Sequence, residues 1–243
     1  MKKIFLFCLF LLLLSACKPQ IYAVDVNAVR HKHILDSLSQ KAKNYRDVQG
    51  RMQGLWVHPV GNAEGKILYI HSYSNYKDDL WHGKTYILKE EELQIHSITD
   101  YKDGVAHGLH QVYGNNGFLA REIMYKDGYE HGFTKYYDIT GTLVAEVEKS
   151  EGVFTGYSVY YIPADNLRIE FHFKPDEETG VKRTYKVTTT KELIKEVDFE
   201  NAYCKRVRFY KNGELWKEEP CTGNEGLPRH LYGGDSEKVR PNQ

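Results

Sequence analysis

The chain has 243 residues, with 33 Lys+Arg balanced by 33 Asp+Glu. That balance excludes the basic excess that marks a nucleic-acid binder. Tyrosine is frequent at 19 and proline scarce at 7, a composition that suits exposed β-sheet.

The N-terminus opens Met1-Lys2-Lys3, and Ile4 to Leu14 is almost wholly apolar. Two lysines ahead of an apolar run form a secretory signal. The run has eleven residues, too few for a membrane-spanning helix, which takes about 20. It ends Leu14-Ser15-Ala16-Cys17, which resembles the lipobox of bacterial lipoproteins rather than a plain secretory signal or an anchor helix. The resemblance implies cleavage of residues 1–16, diacylation of Cys17 by palmitate-type chains, and a lipid tether in the cell envelope. Two or three acyl chains hold a protein on a membrane far more firmly than one. Lys18 follows and no acidic cluster does, so the expected place is the outer membrane, facing the periplasm. Cleavage leaves 227 residues with 31 Lys+Arg against 33 Asp+Glu, enough for one sizeable domain.

Residues 17–50 hold the lipidated cysteine, a linker and one helix. Over residues 24–46, Ile34, Leu35, Leu38, Ala42 and Tyr45 recur at helical spacing, with Asp36, Gln40, Lys41 and Lys43 mostly off that stripe. The stripe predicts a helix that caps the first part of the following domain, or else spaces it from the membrane.

From residue 51 to 221 the chain repeats with a period close to 24. Gly104, Gly128 and Gly152 share one slot, and Gly108, Gly132, Gly156 and Gly180 another. Tyr113, Tyr137, Tyr161 and Tyr185 fill a third; Leu119, Leu143 and Leu167 a fourth; Glu122, Glu146 and Glu170 follow three residues behind. Tyr101, Tyr125 and Phe173 share a slot in which another copy has Lys149. Looser copies extend to both sides, giving six or seven units. A fixed period of this length marks a repeat array. In one unit a strand ends at Tyr113, Gly114-Asn115-Asn116-Gly117 turns the chain, and Phe118 to Tyr125 runs back. Lys126-Asp127-Gly128 leads to the next unit. Leu167, Ile169, Phe171 and Phe173 alternate with Arg168, Glu170, His172 and Lys174, so one face is apolar and the other charged. The carboxylates on the charged face are explained by solvation. A lone hairpin is barely stable, so the hairpins pair edge to edge. The predicted fold is all-β: an elongated, single-layer antiparallel meander of hairpin repeats with a short N-terminal helix.

Units such as Tyr125-Lys126-Asp127-Gly128-x-x-His131-Gly132-x-x-x-Tyr136-Tyr137-x-x-x-Gly141-x-Leu143-x-x-Glu146 resemble the MORN-repeat variant, which also occurs in YwqK-type antitoxins. The resemblance spans about 170 residues. It implies the hairpin-repeat fold and a scaffold, a fold that hosts many functions.

Cys8 leaves with the signal, and Cys204 and Cys221 remain beside Cys17. Asn212-Gly213 is a strong two-residue hairpin signal. The two cysteines stand eight residues out on either side of it, which places them opposite each other at a non-hydrogen-bonded pair. An oxidising compartment favours a disulfide there.

His82, His107 and His131 each precede a repeat glycine. Equivalent positions lie two strands apart, about 9–10 Å, which is too far to share an ion, so no metal site is expected. The tyrosines at 113, 137, 161 and 185 form a ladder, with Tyr136 and Tyr160 on the opposite face. They are expected to stack between hairpins and are the candidate binding surface, since tyrosine is enriched at interfaces. Residues 222–243, with Gly233-Gly234, Pro228 and Pro241, read as a disordered tail.

The sequence contains no nucleophile elbow, P-loop, zinc motif or Cys–His arrangement. The expectation is a non-enzymatic, membrane-tethered scaffold that needs no cofactor and binds a protein in the envelope. The alternative is an antitoxin or immunity protein that neutralises a toxin partner.

Overall fold

The computed structural model describes residues 26–89, 94–174, 176, 178–201 and 203–222, with the backbone alone for 26–30. The expected signal peptide, Cys17 and nearly all of the tail lie outside the described residues. Helix α1 (Val26–Lys41) precedes sixteen strands. The first eight are β1 (Tyr45–Arg46), β2 (Met52–Gly61), β3 (Ile67–Lys77), β4 (Leu80–Leu88), β5 (Ile95–Lys102), β6 (Val105–Tyr113), β7 (Leu119–Lys126) and β8 (Tyr129–Glu130). The rest are β9 (Gly132–Tyr137), β10 (Leu143–Ser150), β11 (Val153–Ile162), β12 (Leu167–Lys174), β13 (Thr179–Val187), β14 (Lys191–Glu200), β15 (Tyr203–Lys211) and β16 (Glu214–Glu219). They form one open antiparallel sheet whose strand order follows the chain, except that β8 steps aside to pair with β7. This is the predicted meander of hairpins.

Two kinds of turn alternate along its edges. On one edge Asp103-Gly104, Asp127-Gly128 and Glu151-Gly152 have φ of 50° and 86°, 51° and 87°, and 51° and 80°. Two consecutive residues at positive φ make the turn whose twist matches a tight hairpin, which is why the second is glycine. On the other edge a carboxylate or amide side chain caps its own loop. Asp138 Oδ1 accepts the amides of Thr140 and Thr142 at 2.8 and 3.0 Å, and Asn62 Oδ1 accepts those of Glu64 and Lys66 at 3.1 and 3.0 Å.

The repeated His-Gly pair is a bulge, not part of a regular strand. Register slips by two residues where Gly83 and Gly108 sit at φ 91° and 111°. The bulge exposes a carbonyl that the next tight turn uses. Gly104 N–H donates to Trp81 O at 2.8 Å, Gly128 N–H to Ala106 O at 2.9 Å, and Gly152 N–H to Glu130 O at 2.8 Å. Each hairpin thereby fixes the turn of its successor.

Helix α1 ends at Lys41, short of the expected residue 46. Asn44 adopts φ 48° and redirects the chain into β1, so Tyr45, placed in the apolar stripe by its spacing, is instead an exposed strand residue. The hairpin array thus starts at Tyr45, ahead of the expected residue 51. The rest of the stripe does cap the sheet. Leu35 and Leu38 are buried against Tyr73, Leu88, Ile95 and Ile98, and each buried leucine contributes about 1.5–3 kcal/mol. Ser39 Oγ and the Tyr73 hydroxyl are hydrogen-bonded at 2.5 Å.

The two faces exchange character along the sheet. On the helix face, the paired row Val57-Tyr73-Tyr86-Ile98 lies under α1. Farther along, the same row becomes Glu122-Lys135-Glu146 and then Glu170-Arg183-Glu196-Arg208. On the opposite face the first strands bury hydroxyls, among them Ser74, Thr85 and Thr99, whereas the later ones bury Phe171, Phe173, Val197, Phe199 and Val207. The predicted apolar–charged alternation therefore holds in the later units, as in β12, and inverts under the helix.

The cysteines form the expected disulfide, with Cα atoms 5.9 Å apart. Their placement differs from the expected opposed pair. Trp216 is an extra residue in β16, so Tyr210 pairs with Leu215 but Phe209 pairs with Lys217. The strand stops at Glu219, before Pro220, and Cys221 reaches back from outside the ladder. A second bulge, at Lys205, turns Cys204 to the face of Phe199, its partner on β14. The bridge therefore packs against the aromatic cluster of the later strands.

Candidate functional site

The ladder tyrosines lie on the helix face near the long-loop edge, as their register with Leu119, Leu143 and Arg168 requires. Tyr136 and Tyr160 lie on the opposite face, both paired with Ala145. The ladder is not a column of stacked rings, because successive members are separated by an intervening strand, about 9–10 Å in all. It is instead a series of hydroxyl–carboxylate bonds. Tyr137 donates to Glu122 at 2.7 Å and Tyr161 to Glu146 at 2.6 Å. Tyr210 donates to Glu196 at 3.4 Å, which extends the same relation into the last hairpin. Cations lie over two of the rings: Arg168 is 5.4 Å from the Tyr161 centroid and Lys191 3.9 Å from that of Tyr185. Tyr113 packs edge-on against His31 of α1, with centroids 4.9 Å apart. These tyrosines bind the sheet together and are half-buried, so they are poorly placed to be the main contact surface.

Burial and the bonded Glu122 carboxylate push the Tyr137 phenol up to about 12, and burial with Glu146 does the same for Tyr161. A folded-state value above the ordinary 10 means stability that is complete below pH 10 and lost as pH rises from about 10 to 12. In a phenolate absorbance titration, two groups are expected to ionise after the rest, and Tyr137→Phe to remove one of them. Ionisation of all tyrosines together near pH 10 would contradict the hydroxyl–carboxylate series.

Solvation does not account for the whole charged row. Glu170 and Glu196 are each only 6% exposed. Glu170 accepts from Arg168 at 2.7 Å and Lys191 at 2.6 Å. Glu196 accepts from Arg183 at 2.6 Å and makes an ion pair with Arg208 at 2.6 Å. Burial raises the Glu170 carboxyl, but its two cationic partners outweigh that and hold it below its ordinary value.

The histidines also serve the fold. His82 Nδ1 lies 3.1 Å from Asp103 Oδ1, and His107 Nδ1 lies 3.2 Å from Asp127 Oδ1, each joining a bulge to the next turn. Among the described residues, no group of three or more His, Cys, Asp or Glu side chains is placed to hold a metal ion.

The surface that does face solvent is a different one. Along the tight-turn edge, the residue after each of the first four turns is apolar: Leu80, Val105, Tyr129 and Val153 are all exposed. They lie on alternate strands of the helix face and lean on the next turn, as where Val105 Cγ1 stands over Gly128. Met124 and Phe133 extend the row inward on the same face. Val105 (44% exposed), Met124 (43%), Tyr129 (60%), Phe133 (38%) and Val153 (69%) thus form one exposed apolar patch across β6 to β11. Lys102 and Lys126 flank it as the cross-strand partners of Val105 and Tyr129. The patch was visible in the sequence as an apolar residue after each turn glycine, a slot the repeat alignment had not singled out.

No family model matches the chain, and no curated protein matches it.

Proposed function

We propose that this protein is a membrane-tethered, non-enzymatic β-repeat lipoprotein, a MORN-variant scaffold that binds a protein partner in the cell envelope. The apolar patch centred on Tyr129 carries the reading. A soluble sheet normally keeps such side chains covered or scattered, and a contiguous exposed group marks an interaction surface. Aromatic and methionine anchors with a lysine rim have the composition of a protein interface. The patch is built on strands, so it is held rigid before binding, which lowers the ordering cost of association. Cys17, after its apolar leader, supplies the tether in this reading, and α1 stands between that anchor and the sheet.

Cys17→Ser is expected to move the protein from the membrane fraction to the soluble fraction while leaving its melting temperature unchanged. Retention of the variant on the membrane would overturn the tether.

A further inference from the structure

We propose that the opposite face of the first strands, β2 to β6, binds an extended, neutral, β-linked glycan. Two adjacent rows carry the inference. One is a row of sunken hydroxyls: Ser74 pairs with Thr85 and Thr85 with Thr99, and none is more than 8% exposed. Beside it runs an aromatic row of Tyr76, Trp81 and Tyr101. Tyr76 pairs directly with Trp81 and accepts its indole N–H at 2.9 Å. Trp81 and Tyr101 have centroids 4.8 Å apart, inclined at 60°.

Three observations favour a sugar chain. First, the Thr85 hydroxyl is fully buried and has no hydrogen-bond partner in the protein, so a polar atom is held ready beneath the aromatic row. Second, neither row contains an Asp, Glu, Lys or Arg, although such residues make up 27% of the chain. Rows free of charge complement a neutral ligand, and the cation at their margin, Arg46, lies over the Trp56 ring at 5.1 Å from its centroid. Third, Tyr76 and Tyr101 are on alternate strands, about 9–10 Å apart, close to the length of one disaccharide in an extended β-linked chain. The C–H faces of such sugars pack on aromatic rings, and their edges carry the hydroxyls that a serine–threonine row can meet. The glycan would run across the strands with its rings on the aromatic row. This face is the reverse of the one that carries the Tyr129 patch, so the inference stands or falls apart from the protein-binding reading.

The test is titration of chitohexaose and cellohexaose into the full chain, kept in a detergent without a sugar headgroup, read by calorimetry and tryptophan emission. Two of the three tryptophans, Trp56 and Trp81, lie at or beside the site, and Trp216 is remote in β16. At least one oligosaccharide is expected to bind and shift the emission. Trp81→Ala is expected to weaken binding by about tenfold, with Trp216→Ala unchanged. Thr85→Val and Tyr101→Leu, which preserve bulk, carry the test if Trp81→Ala loses its melting transition. Failure of both oligosaccharides to bind, equal binding by all these variants, or displacement of the bound sugar by a polyanion would overturn the proposal.

Discussion

Glu196→Ala is expected to destabilise the protein by about 3 kcal/mol in urea unfolding. The carboxylate lies deep in the helix face, with Arg183 and Arg208 both at 2.6 Å. Their side chains are 35% and 23% exposed, so removing Glu196 takes away the carboxylate partner of the half-buried Arg183 and leaves Arg208 with Asp198 alone, at 2.7 Å. The comparison that isolates burial is Glu200→Ala. Glu200 also holds a 2.6 Å ion pair, with Lys205, but those side chains are 51% and 61% exposed, and such pairs are worth about 0–1 kcal/mol. Equal costs for the two substitutions would contradict the account of the charged row. The same row adds an acid-sensitive contribution. Because Glu170 is held below its ordinary value of 4.5, its contribution is complete above about that pH and is lost as pH falls through the depressed folded-state value.

The second large effect is expected at the C-terminal end. Reduction, or Cys221→Ser, should lower stability by about 3 kcal/mol, the value for closing a loop of this size; Cys204 and Cys221 are 17 residues apart. The bridge is the main tie on Cys221 once β16 has ended at Glu219, and it covers part of the Phe171–Phe199 cluster. The loss should read out as an earlier unfolding midpoint with dithiothreitol present. An unchanged midpoint would mean that the last hairpin contributes nothing to the cooperative unit.

The period of glycines and tyrosines was enough to give the hairpins, their order and both kinds of turn, because each rests on a few adjacent residues. Tight turns need positive φ at two neighbouring positions, and Asp127-Gly128 declares that locally. What went astray depended on counting along strands as if they were regular. The one-residue bulges at Lys205 and Trp216 each break parity, and alternation alone cannot reveal an inserted residue. Hence the disulfide partners were legible while their register was not. The burial of Glu196 depends on arginines 13 and 12 residues away on two other strands, so no local pattern separates it from an exposed glutamate such as Glu200. The tyrosine ladder was legible as a repeat, but its bonds to Glu122 and Glu146 depend on cross-strand geometry, and the recurrence alone suggested stacking. The Tyr129 patch went unnoticed because its members differ in identity, as valine, leucine or tyrosine, while sharing one structural slot.

We propose that the Tyr129 patch is the surface that holds a protein partner. It is tested most directly by placing a photo-crosslinking residue in living cells at Val105, Tyr129 or Val153, and at Ile139 on the far loop edge, where the side chain is 82% exposed. The account predicts the same adduct from the three patch positions, lost on Phe133→Glu, and none from Ile139. No adduct from the patch, or adducts as frequent from Ile139, would contradict it.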